Sequence, residues 1–343
     1  MTVVYFATNR LLKAGEMEFT EAFHPNVDEL RFGTATFEGT NLFRMDVEKL
    51  APKGEIWVEP EKLNAANPAA SKLGSTVIFG EIREAMQACG RAILFIHGYN
   101  FTFRESVARA AQLKQWLAAG GQDAAMLLFA WPSLGTGVAP RTYSDDRMRA
   151  QTSGLALARA ILKATDFIRT SPKGERCDAP IHLMAHSMGN WALRGAVQAM
   201  RTYVGYNIPP LFDEVLLMAG DEDDDTLALN HKMAPLLRGC RRVTVYYNQQ
   251  DVALKASDVA MGNPDRLGRS GPAGVRDVVK IVPVNASPAI ITSASDWTQD
   301  ETGHQYYRNN KTVRDDVVQV LEGKLDTDIK GRKKRDEGYY RLG

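Results

Sequence analysis

Short apolar runs alternate with longer amphipathic segments along most of the chain. Runs rich in β-branched residues are typical of buried strands, whereas apolar positions that recur at helical spacing are typical of helices. "AILFIHG" at 92–98 predicts a strand, and "ESVARAAQLKQWLAA" at 105–119 predicts the helix after it. "PIHLMAHS" and "NWALRGAVQAMRTY" repeat this pair of patterns. The alternation predicts an α/β fold, with a mostly parallel central sheet and helices on both faces.

Further elements of the same two kinds fill the rest of the chain. The strands are "AAMLLFAWPS", "FDEVLLMAG", "RRVTVYYN" and "RDVVKIVPV", and the helices are "RMRAQTSGLALARAILKATDFI", "TLALNHKMAPLLRG" and "KTVRDDVVQVLEGK". Before residue 90, "VVYFAT", "TATFEG" and "GEIWVEP" predict strands at the leading edge of the same sheet. Without an internal repeat or long linker, we expect a single domain. Its parts are an N-terminal extension at 1–90, a core at 91–325 and a polar tail at 326–343.

The bulk composition describes a globular chain and disfavours several kinds of partner. Hydrophobic residues make up 44% and charged residues 24% of the 343 positions, and the formal net charge is +1. So small a charge favours neither nucleic acid nor an anionic membrane, and the basic run "KGRKKR" at 330–335 is interpreted as part of the solvated tail. No apolar run is long enough to span a bilayer, and the first residues lack an export signal. The partner must therefore be argued from a candidate site, where we expect a small-molecule substrate.

The cysteines indicate a reducing compartment and no metal site. Cys89, Cys177 and Cys240 are odd in number, widely spaced and without a second ligand residue nearby. They predict neither a disulfide framework nor a zinc site. We expect a cytoplasmic protein.

Ser187 is the first candidate for chemistry. It lies where the predicted strand "PIHLMAHS" turns directly into a helix, between Ala185 and Gly189. This pattern fits the G-x-S-x-G nucleophile elbow, with Ala in place of the first Gly. The structural alternative is a serine that only caps the following helix. We interpret Ser187 as a nucleophile.

A serine nucleophile needs a histidine base, and the chain has six histidines. Five lie before or within the predicted elements: His24, His97, His182, His186 and His231. His186 adjoins Ser187 on one strand, so its side chain should point to the opposite face. Only His304, in "DETGHQYY", follows the last predicted strand in a polar loop. Folds with this elbow place the histidine last in the chain, so His304 is the predicted base.

Two carboxylates between Ser187 and His304 can orient that base. Asp251 follows the strand "RRVTVYYN", and Asp221 follows the strand "FDEVLLMAG" one step earlier. Each also has a structural interpretation, Asp251 as a helix cap and Asp221 as part of a solvated acidic helix start. We favour Asp251, because the usual acid of this arrangement follows the later strand, and keep Asp221 as the alternative.

Backbone N–H groups are the expected donors to the oxyanion. One comes from the residue after the nucleophile, Met188, and the other from the loop after an earlier strand. "FIHGYN" supplies that loop, in which Gly98 permits a sharp turn and Tyr99 presents its N–H.

The blocks "FIHGYN", "FAWPSLG" and "IHLMAHSMGN", in this order and spacing, resemble the α/β-hydrolase fold. In particular they are similar to a largely uncharacterised bacterial family of esterase/lipase-like hydrolases. The resemblance extends from "VVYFATNR" to the "GHQYY" loop and implies Ser187, His304 and Asp251 as a catalytic triad. It also implies Tyr99 and Met188 at the oxyanion hole.

The "WPSLG" block, with Tyr143 and Asp146 beyond it, also matches the family, without a role that the family defines. We expect Trp131 and Asn190 to line the substrate pocket, with the alternative that Trp131 is a buried aromatic residue at a strand end.

The resemblance implies a serine hydrolase that cleaves carboxylic esters through an acyl-enzyme and needs no metal or organic cofactor. The same triad also serves thioesterases, amidases and acyltransferases, which remain alternatives. A non-catalytic binding protein with this fold is a further alternative.

Overall fold

The computed structural model describes residues 1–13, 18–26, 29–50, 55–59, 72–135, 137, 140–170, 176–205, 208–275, 278–292 and 302–343. The strands are β1 (Thr2–Thr8), β2 (Arg10–Leu12), β3 (Phe19–Phe23), β4 (Arg31–Phe37), β5 (Glu55–Glu59), β6 (Ala92–Ile96), β7 (Ala125–Phe129), β8 (Ile181–His186), β9 (Phe212–Met218), β10 (Cys240–Tyr247), β11 (Ile281–Asn285), β12 (Arg332–Lys334) and β13 (Tyr340–Leu342). The α-helices are α1 (Val47–Leu50), α2 (Gly74–Cys89), α3 (Phe103–Ala118), α4 (Pro140–Thr152), α5 (Gly154–Thr170), α6 (Gly189–Val204), α7 (Val252–Met261), α8 (Leu267–Ser270), α9 (Ser287–Thr292), α10 (Tyr306–Asn309) and α11 (Lys311–Leu321). Short 3₁₀ helices cover Leu42–Arg44 and Ala234–Arg238.

Eleven of the described strands form one sheet, in the order β12-β13-β11-β10-β9-β8-β6-β7-β1-β4-β5. Neighbours from β13 through β1 pair in parallel, and the antiparallel pairs are β1 with β4, β4 with β5, and β12 with β13. The three N-terminal strand predictions correspond to β1, β4 and β5 at one edge of this sheet. The predicted fold class, a mostly parallel sheet within an α/β fold, is confirmed.

The sheet has one apolar core on each face. Helices α2, α5 and α6 pack on one face, and α3 and α11 pack on the other. All five residues of β6 and all six of β8 are buried, as expected for strands covered on both faces. Polar groups at the ends of these strands are therefore held on rigid elements.

The long helix predicted over 147–168 is two helices, α4 and α5, separated at Ser153. The Ser153 hydroxyl donates to the Arg149 carbonyl four residues earlier, at 2.9 Å. A serine bonded in this way bends a helix. Beyond the bend, α5 crosses α6 at a pair of glycines: a Cβ on Gly154 would lie 2.3 Å from the carbonyl carbon of Gly195.

One further element prediction is wrong, and another is incomplete. The segment 226–239 forms turns and the 3₁₀ helix Ala234–Arg238 instead of an α-helix, and Pro235 near its start has no N–H to donate. The segment 326–343, predicted as a polar tail, keeps most of its basic run exposed but includes a hairpin of β12 and β13 that extends the sheet. Leu342 is fully buried there, and the Arg332 guanidinium donates twice to Asp316, both at 2.7 Å. A basic run does not reveal that one of its arginines is paired inside the protein.

Within the described part of the chain, every helix is too short or too polar to cross a bilayer.

Candidate active site

Ser187 occupies a strained turn between β8 and α6. Its φ of 52° lies in the left-handed region, which non-glycine residues rarely adopt. Hydrogen bonds hold it there: its N–H donates to the Met218 carbonyl at 3.0 Å, and its own carbonyl accepts from the backbone of Asn190 and Asp221, both at 3.1 Å. This backbone conformation places the serine side chain at the carboxyl end of the sheet.

Gly189 allows α6 to start directly against the end of β6. A Cβ at this position would lie 2.6 Å from the carbonyl oxygens of both Ile96 and His97. Since backbone atoms cannot yield easily, only glycine fits. The first glycine of the elbow pattern is replaced by Ala185. Its methyl group is fully buried in the strand, so this position accepts a side chain.

His304 and Asp251 form a buried pair. His304 Nδ1 lies 2.6 Å from Asp251 Oδ2, and the two residues are 7% and 0% exposed. The other carboxylate oxygen of Asp251 accepts the Leu254 N–H at 2.9 Å and so caps α7. The sequence analysis treated helix cap and histidine partner as alternative roles for Asp251. In the structure this residue has both contacts. With Nδ1 bonded to Asp251, the ring can present Nε2 to the cavity.

His186 packs against the proposed base instead of Ser187. Its ring centroid lies 4.9 Å from that of His304 and 4.2 Å from that of Tyr307, and its Nε2 is 3.4 Å from the His304 carbonyl oxygen. Burial lowers the pKa of His186 well below its usual range, and the neighbouring His304 lowers it further. The ring is therefore neutral and supports the loop that carries His304.

Asp221 has different partners. Its Oδ2 accepts from the Tyr143 hydroxyl at 2.7 Å, and its Oδ1 accepts from the Ser257 hydroxyl at 3.0 Å. The structure pairs His304 with Asp251, whereas Asp221 bonds to two hydroxyls in the wall of the same cavity.

The loop after β6 is fixed by the "WPS" block. The Trp131 indole stacks on His97, with centroids 5.0 Å apart and planes 5° from parallel, and its Nε1 donates to the His97 carbonyl at 2.8 Å. Burial lowers the pKa of His97 to about 3, so its ring is neutral and donates one hydrogen bond. Its Nδ1 lies 2.8 Å from the Gly98 carbonyl oxygen.

Two buried polar groups fasten the far end of this loop. The Ser133 hydroxyl accepts the Phe101 N–H at 3.1 Å and lies 2.5 Å from Asp146 Oδ2. Arg10, from β2, donates through Nη2 to the carbonyls of Phe101 at 2.9 Å and of Trp131 at 2.8 Å. These contacts give the "WPS" block and Asp146 a role that the sequence did not define. The contribution of Arg10 was missed, because its only sequence signal is the "TNR" of the opening block.

Trp131 and Asn190 do not line the cavity, so the pocket contacts predicted for them are wrong. Both are fully buried. Trp131 lies beneath the loop after β6, and the Asn190 amide donates to the Ser187 carbonyl at 2.9 Å. Trp131 is the buried aromatic residue of the alternative interpretation, and Asn190 supports the elbow from below.

A cavity of about 490 Å³ lies over the carboxyl ends of the central strands. Ser187 and His304 line it together, and Tyr99 lines it from the loop after β6. Met188 is fully buried at the start of α6. Within the described residues, the backbone N–H groups of Tyr99 and Met188 have no backbone acceptor outside the regular elements. Ser187, His304 and Tyr99 thus line one open cavity, and Met188 lies buried behind its wall.

Comparison with known proteins agrees with this fold. Residues 80–323, most of the chain, match the sequence model of a family described as "Alpha/beta hydrolase of unknown function (DUF900)". No curated protein matches the chain. The chain belongs to this DUF900 family of α/β-hydrolases.

Proposed function

We propose that the protein is a serine hydrolase that cleaves carboxylic esters with Ser187 as nucleophile, His304 as base and Asp251 as the acid that orients it. The observation that carries the proposal is the buried 2.6 Å contact between His304 Nδ1 and Asp251 Oδ2, beside a cavity that Ser187 also lines. The strained φ of Ser187 supports it, because strain of this kind concentrates at functional positions.

The first half of the reaction forms an acyl-enzyme. Ser187 Oγ attacks the ester carbonyl carbon while its proton passes to His304 Nε2, and the carbonyl oxygen becomes an oxyanion. The N–H groups of Tyr99 and Met188 donate to this oxygen, the latter at the positive end of α6. When the carbonyl re-forms, the alkoxide leaves and takes the proton from His304.

The second half releases the acid. A water molecule gives its proton to His304 as its oxygen attacks the acyl carbon, and collapse of this intermediate returns the proton to Ser187. Ester and water thus become carboxylic acid and alcohol. In both halves, Asp251 holds the ring in place and stabilises its cationic form.

A fluorophosphonate probe tests the proposal directly. We expect the wild-type protein to be labelled and to hydrolyse short-chain aryl esters, and Ser187→Ala to lose both properties. Ser144→Ala, which changes an exposed serine on α4, is the matched control and should keep both. A folded wild-type protein that is never labelled would contradict the nucleophile assignment.

A panel of acyl donors tests the ester assignment. Aryl esters of increasing chain length should be turned over faster than a thioester or an anilide of the same acyl group. If the thioester or the anilide is preferred instead, the protein is a thioesterase or an amidase with the same triad.

A further inference from the structure

Three hydrogen-bonded side chains form part of the cavity wall close to Ser187. The Asp221 carboxylate accepts from the Tyr143 and Ser257 hydroxyls, and these two oxygens are themselves 2.9 Å apart. All three residues line the cavity. Because the Asp221 N–H donates to the Ser187 carbonyl at 3.1 Å, this Asp221 cluster adjoins the proposed nucleophile.

The Asp221 cluster accepts hydrogen bonds and has few to donate. Each hydroxyl has one proton, and the carboxylate is the strongest acceptor within reach of both. Burial, followed by the charge of Asp221, raises the pKa of Tyr143, so the phenol keeps its proton. The Asn263 amide also donates to the Ser257 hydroxyl oxygen, at 3.1 Å. The cluster therefore offers a ligand the remaining lone pairs of its oxygen atoms, and a ligand must bring a hydrogen-bond donor to use them.

His186 adds a second acceptor beside the same cavity, although this nitrogen is itself closed off from solvent. Its Nε2 faces the His304 carbonyl oxygen, which can only accept, so the ring proton lies on Nε2 and Nδ1 carries a lone pair. The residue is 2% exposed and lines the cavity, and within the described residues Nδ1 has no hydrogen-bond partner. A Cβ on Gly98 would lie 2.9 Å from this nitrogen and 3.1 Å from Ser187 Cβ. The acceptor is therefore close to the proposed reacting centre.

The charges that line the cavity have one sign. Apart from two histidines and two tyrosines, its ionisable side chains are Glu48, Glu105 and Asp221, and none of the described lining residues is a lysine or an arginine. Arg266 lies behind the wall, 3.9 Å from Asp221, and also contacts Asp223 and Asp258. Its charge is thus shared among three carboxylates. A cleft with charges of one sign raises the local concentration of ligands of the opposite sign.

We propose that this cavity selects esters that carry a protonated amine close to the scissile carbonyl, and that the Asp221 cluster binds the ammonium group. The inference rests on the proposed hydrolase function and names its substrate class. An ammonium group donates three hydrogen bonds and accepts none, which matches both the lone pairs and the charge of the wall. A hydroxyl group matches the lone pairs alone, and a carboxylate matches neither.

Four methyl esters of similar size separate these cases. They are methyl β-alaninate, methyl 3-hydroxypropionate, methyl butyrate and monomethyl succinate, with turnover followed by methanol release at pH 7. We expect kcat/KM to fall in that order, with the ammonium ester at least about tenfold above the butyrate ester, as for a charge-assisted hydrogen bond. Added salt should reduce the preference, because it screens the charges.

Variants assign the preference to the Asp221 cluster. Asp221→Asn should reduce the ratio of kcat/KM between the β-alaninate and butyrate esters by about tenfold, and Tyr143→Phe should reduce it in the same direction. Asp145→Asn is the matched control, because it removes one negative charge from an exposed position on α4 and should keep the ratio. The ratio is measured within each variant, so a change in the amount of active protein does not affect it.

The outcomes separate this inference from the proposed function. Hydrolysis of all four esters at similar rates, or a preference for the succinate ester, with Ser187 still labelled by the fluorophosphonate, would overturn the substrate class alone. Absence of both labelling and hydrolysis in the folded protein would overturn the hydrolase and this inference together. An ammonium preference that Asp221→Asn and Tyr143→Phe leave intact would assign the selection to another part of the cavity and so refute the role of the Asp221 cluster.

Discussion

Asp251 uses its two carboxylate oxygens for different tasks. One oxygen accepts the Leu254 N–H and so caps α7, and the other lies against His304. Asparagine is also a good helix cap, but it cannot stabilise a cationic imidazole. A change from aspartate to asparagine at this position therefore separates the structural task from the proposed catalytic one.

We expect Asp251→Asn to lower kcat by about 10⁴-fold, as in other triads that lose their acid. Steady-state kinetics with a neutral ester measure the loss, and thermal unfolding checks that the cap is kept. Asp221→Asn serves as the comparison and should lower turnover of the same ester by less than about tenfold. A larger loss in Asp221→Asn than in Asp251→Asn would move the acid to the earlier strand.

The crossing of α5 and α6 depends on small residues. A Cβ on Gly195 would lie 2.5 Å from the Gln151 carbonyl oxygen and 3.1 Å from Gly154 Cα. Because α6 begins at the elbow, this contact also fixes the helix that follows the proposed nucleophile.

We expect Gly195→Ala to destabilise the protein by roughly 1–3 kcal/mol, since the two helices must separate to admit the methyl group. Urea unfolding measures the change. Gly80→Ala in α2 is the control: no atom lies within 4 Å of its Cβ position, and alanine is the better helix former. That variant should be unchanged or more stable by up to about 1 kcal/mol. Equal effects at the two sites would contradict the packing argument.

Elements with strong local patterns could be predicted from the sequence, and those defined by distant partners could not. The runs that became β6, β8 and α6 are apolar or amphipathic over their whole length, and their type and order were correct. The hairpin of β12 and β13 is joined to α11 through the contact of Arg332 with Asp316, which no local pattern shows. The bend at Ser153 and the turns around 226–239 depend on single hydrogen bonds and a proline.

The candidate site divides in the same way. Ser187 has a local signal, the strand-to-helix turn with small neighbours, and chain order narrowed the choice of histidine and acid. For Trp131, the sequence does not distinguish an aromatic residue that lines a cavity from one that is buried beneath a loop, so its pocket assignment could not be tested before the structure. The Asp221 cluster brings together Tyr143, Asp221 and Ser257 from three separate segments. Their proximity is a property of the folded chain.

At the scale of the whole molecule, three of the buried histidines are neutral rings. Burial lowers the pKa of His97 and of His182 to about 3, and that of His186 well below its usual value. Their ordinary pKa in the unfolded chain is 6.5. The unfolded chain therefore binds protons that the folded protein does not. The stability that this difference contributes is complete above pH 6.5 and is lost as the pH falls from 6.5 towards 3.

His182 is the simplest test of this pH dependence, because neither ring nitrogen has a partner within the described residues. Between pH 7 and pH 5 we expect the free energy of unfolding of the wild type to fall by about 2 kcal/mol more than that of His182→Leu. Urea unfolding at the two pH values measures the difference. His231→Leu is the control, since the His231 side chain is 43% exposed. A His182→Leu variant that is as acid-sensitive as the wild type would show that this ring is not the source.

The buried contacts of Arg10 bear on where the chain can be shortened at its N-terminal end. It lies in β2, outside the region 80–323 that defines the family, yet its guanidinium is fully buried against the carbonyls of Phe101 and Trp131. A protein shortened to the family boundaries would leave both carbonyls without this donor, beneath the loop that presents the Tyr99 N–H. We therefore expect that a fragment that folds with that loop in place must begin before β2, well ahead of residue 80, where the family match starts.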